Sequence, residues 1–377
     1  MNSIHVIPVS PACERFADAD HWCAFGAQWG SGDSKQIECL SVVDETHDVK
    51  TFTFRCPEHH ALAYEPGQFL TVSPVIGGQS VSRCYTLSST PTRPFSFSIT
   101  VKRVPGGTVS NWLHDNLRVG QSLVASGPAG NFTPVAGPSR KTLYLSAGSG
   151  VTPLMAMTRA AADLHAELDI VFVHSARTPK DIIFRSELAR MEGSMPKMRT
   201  LFFCEGLGDE PEWEGPVGRL SIEELQRRIP DFKEREVFTC GPKGYMDATR
   251  ALLEKAGFDM ARYHQESFDI SAEGIVEPAP LLEIDPGQAQ DTFTVRLARS
   301  GREFTMTAEQ TVLSAAKKAG AIVPSSCSQG VCGTCKTAVL EGTVEMNHNG
   351  GIRQREIDKG MRLLCCSRPT SDLVIDL

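Results

Sequence analysis

The sequence predicts a multidomain chain: an antiparallel β-barrel, then an α/β unit on a parallel sheet, then a small α+β unit. Three observations predict it. A chain of 377 residues with 41% hydrophobic content has room for two to four domains at roughly 100 to 200 residues each. Short β-rich runs are closely spaced from residue 36, and near residue 140 they give way to strands alternating with helices. Finally, five of the 12 cysteines lie in the last 51 residues, behind a hairpin and a helix.

Residues 1–35 read as an irregular N-terminal extension, with "WGSGDSK" at 29–35 as a flexible lead-in. Residues 36–138 carry "IECLSVVDETHDVKTFTFRC", "QFLTVSPVI", "VSRCYTLSST", "FSFSITVKRV" and "QSLVASGPAG", divided by Gly, Pro and Asp turns. Such closely spaced strands predict a barrel ending near Thr133. Over 139–268 the pattern becomes strand, glycine turn and helix ("TLYLSAGSGVTPLMAMTRAAADLHA"), then strands "LDIVFVHSA", "RTLFFCEG" and "EVFTCG" with helical segments between them. That alternation requires crossover connections, hence a parallel sheet. Residues 269–290 read as a Pro- and Gly-containing linker, and 291–377 as a hairpin, a helix and a cysteine loop.

Composition excludes several classes. The 38 basic and 45 acidic residues give a net charge of -7, which disfavours a nucleic-acid binder. No apolar run reaches the roughly 18 residues that span a bilayer, and the N-terminus lacks a signal peptide's basic start and apolar core. A cytoplasmic protein is expected. In that compartment a cysteine cluster means metal or redox chemistry rather than disulfides. Cys13, Cys23, Cys39, Cys56, Cys84 and Cys204 are scattered and read as small buried hydrophobes. The histidines show no metal-ligand spacing.

"SSCSQGVCGTCKT" at 325–337 places Cys327, Cys332 and Cys335 at C-x4-C-x2-C, with a distant fourth cysteine at Cys365 or its neighbour Cys366. This is the plant-type [2Fe-2S] spacing. A four-cysteine zinc site, the competing reading, usually pairs two C-x2-C units, and only one is present. Gly330 and Gly333 flank Cys332 and let the backbone turn its N–H groups toward the sulfurs. Residues 291–377 thus resemble a plant-type ferredoxin domain, which implies a β-grasp fold. In that family the last ligand stands four residues before a proline, as Cys365 does before Pro369 in "CCSRP". The resemblance selects Cys365 as the fourth ligand.

The first 268 residues resemble the ferredoxin-NADP reductase superfamily. "RCYTLSS" at 83–89 is similar to its R-x-Y-[ST] signature. The resemblance implies that Arg83 pairs with a flavin phosphate, Tyr85 lies against the isoalloxazine, Thr86 bonds toward the reactive ring nitrogen, and Ser88 belongs to the same site. In "RVPGGTVSNWLHDNL" at 103–117, Gly106, Gly107 and Ser110 stand at a predicted helix N-terminus, whose free N–H groups and dipole favour a pyrophosphate. Members with this element resemble the FAD users more than the FMN users, so FAD is expected.

"LSAGSGVTPLMAM" at 145–157 carries Gly148 and Gly150 between a strand and a helix. It lacks the third Rossmann glycine, yet G-S-G-V-T-P matches the superfamily's nicotinamide turn and brings in Thr152 and Pro153. "TCGPKGYM" at 239–246 resembles the second nicotinamide element: Cys240 would approach the reactive carbon, with Gly241 and Pro242 leaving room for the ring. "HSARTPKDIIF" at 174–184 bears on the dinucleotide. Ser175 and Arg177 are candidate contacts, but the acidic-or-basic test for NAD against NADP is undecided, because Arg177 is followed by Asp181. Similarity to reductases with R-T-P-x-D-x-x-F implies NADH, with NADPH possible. "YHQESFD" at 263–269 adds Glu266 and Phe268 near the flavin by resemblance. Thr86, Cys240 and Glu266 are the candidate catalytic residues.

The order flavin barrel, nicotinamide domain and ferredoxin domain resembles the single-chain reductase components of Rieske-type oxygenases, of the glycine betaine demethylase kind. It also resembles the NADH reductase of the hybrid-cluster protein. The resemblance implies that electrons pass from NADH through FAD and a [2Fe-2S] cluster, one at a time, to a protein acceptor. An oxygenase acting on a quaternary amine is expected, with neither nucleic acid nor membrane as partner. A stand-alone reductase of quinones or nitro compounds would carry an extra lid or substrate domain, and none is visible. A zinc-holding interaction module would be colourless.

Overall fold

The computed structural model describes residues 28–29, 34–57, 60–134, 140–267, 292–319, 335–348 and 354–377, with Ala321, Val323, Gly330, Gly333 and Ile352. The 269–290 linker, Phe268, Cys327 and Cys332 lie outside the described residues.

The N-terminal unit contains β1 (Gln28–Trp29), β2 (Ser34–Thr46), β3 (Val49–Arg55), β4 (Ala61–Leu62), β5 (Phe69–Ser73), β6 (Val75–Ile76), β7 (Gln79–Ser80), β8 (Arg83–Thr86), β9 (Phe97–Lys102), α1 (Thr108–Asn116) and β10 (Ser122–Ala129). Its main sheet has the order β8-β5-β10-β2-β3-β9. An antiparallel bridge between Leu87 and Ile99 joins the two ends of this order and closes the barrel. Alternating Thr and Phe in β3 turns Phe52 and Phe54 inward, where both are fully buried and Phe54 stacks on Phe97. Helix α1 seals one end through Val109 and Leu113, while the His114 ring bonds the Val101 carbonyl at 2.9 Å.

One expectation is corrected here. The segment before residue 36 is not all irregular lead-in: β1 pairs with β4, and Trp29 is fully buried with its ring edge-on to Phe97 at 5.7 Å. A large indole that caps the barrel core stabilises this short pairing through its burial.

The second unit runs β11 (Lys141–Ala147), α2 (Val151–Asp163), β12 (Asp169–Ala176), α3 (Arg185–Ser194), β13 (Met198–Cys204), α4 (Ile222–Arg228), β14 (Glu236–Gly241), α5 (Lys243–Lys255) and β15 (Tyr263–Ser267). The sheet is parallel throughout, in the order β13-β12-β11-β14-β15. The chain reverses its direction of progress between β11 and β14, the place where such sheets bind ligands beyond their strand ends. Tyr144, Phe172 and Phe238 pack on the α2 face, and Leu143, Val171 and Val237 on the opposite face.

The two units are joined by specific contacts. Strand β9 packs against the 148–150 turn, and Val49 enters the α2-side core. Arg159 of α2 makes a two-pronged pair with Glu187 at 2.8 and 2.6 Å while donating to the Ser88 carbonyl at 2.5 Å. Asp163 accepts from Arg93 at 3.0 and 2.8 Å and from Thr92 at 2.5 Å. These pairs fix how the barrel faces the strand ends.

The third unit contains β16 (Thr292–Leu297), β17 (Glu303–Thr307), α6 (Val312–Lys318), β18 (Lys336–Glu341), β19 (Val344–Met346), α7 (Gln354–Ile357), β20 (Met361–Leu363), β21 (Ser367–Pro369) and β22 (Leu373–Ile375). Its sheet, β17-β16-β22-β18-β20, is mixed, since β16 and β22 run parallel while the other pairs are antiparallel. Val312, Leu313 and Ala316 of α6 pack into the same core as Val295 and Ile375. Among the described residues no helix is long and apolar enough to cross a membrane.

Candidate functional site

Arg83, Tyr85 and Thr86 share β8, whose ladder partner is β5. The Arg83 guanidinium touches the preceding carbonyl of Ser82 at 2.8 Å and is otherwise held by no described ion pair, so its charge remains available to a phosphate. Tyr85 packs half-buried against the barrel core. Thr86 is 5% exposed, and its Oγ1 is buried with no hydrogen-bond partner among the described residues. A buried hydroxyl without a partner is costly unless a ligand supplies one. Ser88 differs: it is fully buried, accepts from Thr100 Oγ1 at 2.8 Å and donates to the Ser98 carbonyl at 3.2 Å. Its hydroxyl is therefore satisfied inside the barrel.

Helix α1 starts after Gly107, which caps it without any side-chain bond. Ser110 is 1% exposed and accepts from the Val104 N–H at 3.4 Å, bracing the turn. What this element presents outward is backbone N–H groups.

The nicotinamide elements converge on the switch point. Gly148 has φ 52°, a left-handed conformation that suits glycine. Gly150 is packed so tightly that a Cβ there would lie 2.2 Å from the Cys240 carbonyl oxygen. Thr152 is buried and donates to the Ser149 carbonyl at 3.0 Å, with Pro153 beside it in the first turn of α2. Gly241 likewise leaves no room, since a Cβ would stand 2.9 Å from Tyr245. Pro242 caps α5.

Cys240 is fully buried and is the ladder partner of Glu266 on β15. Burial, then the Glu266 carboxylate, pushes the thiol well above its ordinary range. At neutral pH it is an uncharged S–H, suited to van der Waals contact and unsuited to nucleophilic attack.

The same register row carries a feature that the sequence reading missed. The Ser146 hydroxyl lies 3.2 Å from the Val173 carbonyl oxygen and 2.8 Å from His174 Nδ1. His174 is fully buried, its Nε2 has no partner among the described residues, and burial holds its pKa down to about 3. The signal was a histidine inside the otherwise apolar run "IVFVHSA".

At the end of β12, Ser175 is half-buried, and Arg177 reaches Asp48 of the barrel at 3.5 Å and Asp181 at 3.9 Å. Asp181 itself accepts from the Thr178 N–H at 2.9 Å and the Thr178 hydroxyl at 2.8 Å. It forms a reciprocal cap for the turn and so is not a free acid waiting for a ribose.

In the third unit Cys335 and Cys365 are both buried, with side chains in hydrogen-bonding contact. Gly330, at φ 72°, donates its N–H to Cys365 Sγ at 3.2 Å, and Gly333 turns at φ 75°. The Cys366 thiol also contacts Cys365 and donates to the Leu363 carbonyl at 3.5 Å. A thiol pair served by a backbone N–H fits an anionic cluster.

Comparison with known proteins agrees with this arrangement. Residues 37–133 match the oxidoreductase FAD-binding domain, 144–251 the oxidoreductase NAD-binding domain and 295–370 the 2Fe-2S iron-sulfur cluster binding domain. The chain is 45% identical to the glycine betaine monooxygenase reductase subunit of Chromohalobacter salexigens, over 92% of this chain and 96% of that protein. It is 43% identical to the Pseudomonas aeruginosa subunit of the same name, with the same coverage. The stachydrine N-demethylase reductase subunit of Rhizobium meliloti is 40% identical, over 89% of this chain and 95% of that protein. Among solved structures, phthalate dioxygenase reductase matches with TM-score 0.57 and 25% identity, covering 91% of this chain and 98% of that one. Fold, site and similarity agree: the chain belongs to the family of oxygenase reductase components that join FAD-binding, NAD-binding and 2Fe-2S domains in one polypeptide, the family of the glycine betaine monooxygenase reductase subunits.

Proposed function

We propose that this reductase takes hydride from NADH and delivers single electrons to a Rieske-type oxygenase that demethylates a quaternary amine such as glycine betaine. The observation that carries the reading is the packing of β9 against the 148–150 turn, which sets the barrel's flavin strand across from the switch point where Gly150 and Cys240 meet. Bound flavin and cluster supply a two-electron acceptor and a one-electron carrier; everything else is positioning by the chain.

Arg83 neutralises flavin phosphate, α1 offers its N-terminal N–H groups to the pyrophosphate, and Tyr85 covers the ring. Thr86 donates from its buried hydroxyl. Gly148, Gly150, Thr152, Pro153, Gly241 and Pro242 leave a flat opening for the nicotinamide, and neutral Cys240 borders it without reacting. Glu266, the ladder partner of Cys240, is assigned to the same site, and Phe268, outside the described residues, is assigned to the flavin. Ser88 and Ser110 brace the site from within. Ser175 and Arg177 receive the adenosine half. Cys327, Cys332, Cys335 and Cys365 hold the cluster, with Cys366 left as a neighbour. The working boundaries are 36–138, 139–268 and 291–377, joined by the 269–290 linker, and the cytoplasm is the proposed compartment.

Reconstitution tests the proposal. With NADH and a Rieske oxygenase that demethylates glycine betaine, formaldehyde release is expected only when both proteins are present. Turnover of another quaternary amine alone would reassign the substrate, and coupling to no such oxygenase would overturn the reading.

A further inference from the structure

Beyond the 148–150 turn, the ends of β12 and β13 carry a second concave surface. A cavity of about 680 Å³ is lined by Arg185, Asp209, Glu210, Glu212, Trp213 and Glu214. It belongs to the loop after β13, which lies two strands from the β11 turn. Cys240 stands on β14, three strands from β13; at about 4.8 Å per strand that separation, roughly 14 Å, suits the adenosine half of a dinucleotide whose nicotinamide sits at Cys240. The loop also touches the β12 end directly, since a Cβ on Gly208 would stand 3.0 Å from Thr178.

The cations at this end are already engaged. Arg185 is held by Glu210 at 2.9 Å, and its guanidinium lies 5.0 Å from the Trp213 ring centre. Lys180 meets Asp209 at 2.7 Å, and Arg177 meets Asp48 and Asp181. Glu212 and Glu214 add two more exposed carboxylates. An adenosine 2′-phosphate binds where a cation is free to receive it. Here it would have to displace a carboxylate from each one and stay beside the carboxylate it displaced. Exposed pairs such as Lys180 with Asp209 are individually weak. The barrier therefore lies in the negative charge that remains nearby after the pair opens.

We propose that the 209–214 loop sets the coenzyme preference of this reductase: by engaging Lys180 and Arg185 and lining the adenosine pocket with carboxylates, it accepts a ribose diol and rejects a 2′-phosphate. The inference rests on the nicotinamide-site reading above and assigns its specificity to residues outside the glycine turns.

The test is calorimetric binding to the flavin- and cluster-loaded chain at fixed ionic strength, with ADP-ribose and adenosine 2′,5′-bisphosphate as probes. In the Asp209→Asn/Glu210→Gln variant, affinity for the bisphosphate is expected to rise about ten-fold, the size of one added charge-assisted contact. ADP-ribose affinity is expected to stay within about two-fold. Glu223→Gln on α4, which removes one carboxylate that does not line the pocket, is expected to change neither. An unmoved bisphosphate affinity, or an equal rise for both probes, overturns this inference while leaving the nicotinamide site intact. Failure of the unaltered chain to bind ADP-ribose would overturn both.

Discussion

Two buried groups show how side-chain chemistry is set by position. Cys240 stands where a reactive thiol would be a hazard to a hydride carrier, and burial with Glu266 keeps it protonated. His174 is kept neutral by burial, with the Lys102 charge acting in the same direction, and its pKa stands at about 3 against an ordinary 6.5. Its folded pKa is depressed, so the unfolded chain binds the extra proton between those values, and stability is present above pH 6.5 and lost as pH falls. From about pH 7 to pH 5 the loss from this group is about 2 kcal/mol. The urea midpoint of the wild type should fall relative to that of His174→Gln over this range; a gap between the two that does not change with pH would show that His174 is not buried neutral. Residue types at the glycine turns were legible in the sequence because only glycine permits those approaches. Asp181 was not, because a cap and a ribose ligand place the same residue type at the same spot and differ only in which way the carboxylate bonds.

At the level of elements, the glycine turn after β11 is the most constrained. Gly150→Ala would drive a Cβ to 2.2 Å from a backbone carbonyl that cannot swing aside, forcing β11 and β14 apart at a cost of about 1–3 kcal/mol. The KM for NADH should rise sharply while flavin content is kept. Gly148→Ala meets no atom within 4 Å and costs only left-handed strain, about 1–2 kcal/mol. Equal effects of the two substitutions on KM would refute the steric account. Most elements could be read from period and punctuation: strands of the barrel from Thr, Val and Phe alternation, and helices of the second unit from apolar spacing behind glycine turns. Strand β1 could not, because two residues carry no period and Trp29 is followed by glycine, which reads as loop. The 209–214 loop was equally opaque, since exposed acids read as solvated surface until Lys180 and Arg185 are seen folded against them.

For the whole molecule, the sequence of centres gives the function its direction. Arg159 and Asp163 tie the barrel to the nicotinamide domain, so the two are held as one hydride-transfer unit, and the ferredoxin domain follows them in the chain. The domain order was legible because each unit carries a distinct motif, whereas the ties between units were not, because Arg159 and Ser88 are 71 positions apart and Arg159 bonds the Ser88 backbone carbonyl, which no residue type announces. The most direct measurement of the central claim is an anaerobic titration of the full chain with NADH, followed by flavin absorbance and by the electron paramagnetic resonance of a reduced [2Fe-2S] cluster. The account predicts flavin bleaching followed by the cluster signal in the wild type and in Cys366→Ser, and bleaching without the signal in Cys365→Ser. Bleaching without any cluster signal in the wild type, or a signal that survives Cys365→Ser and is lost in Cys366→Ser, would contradict it.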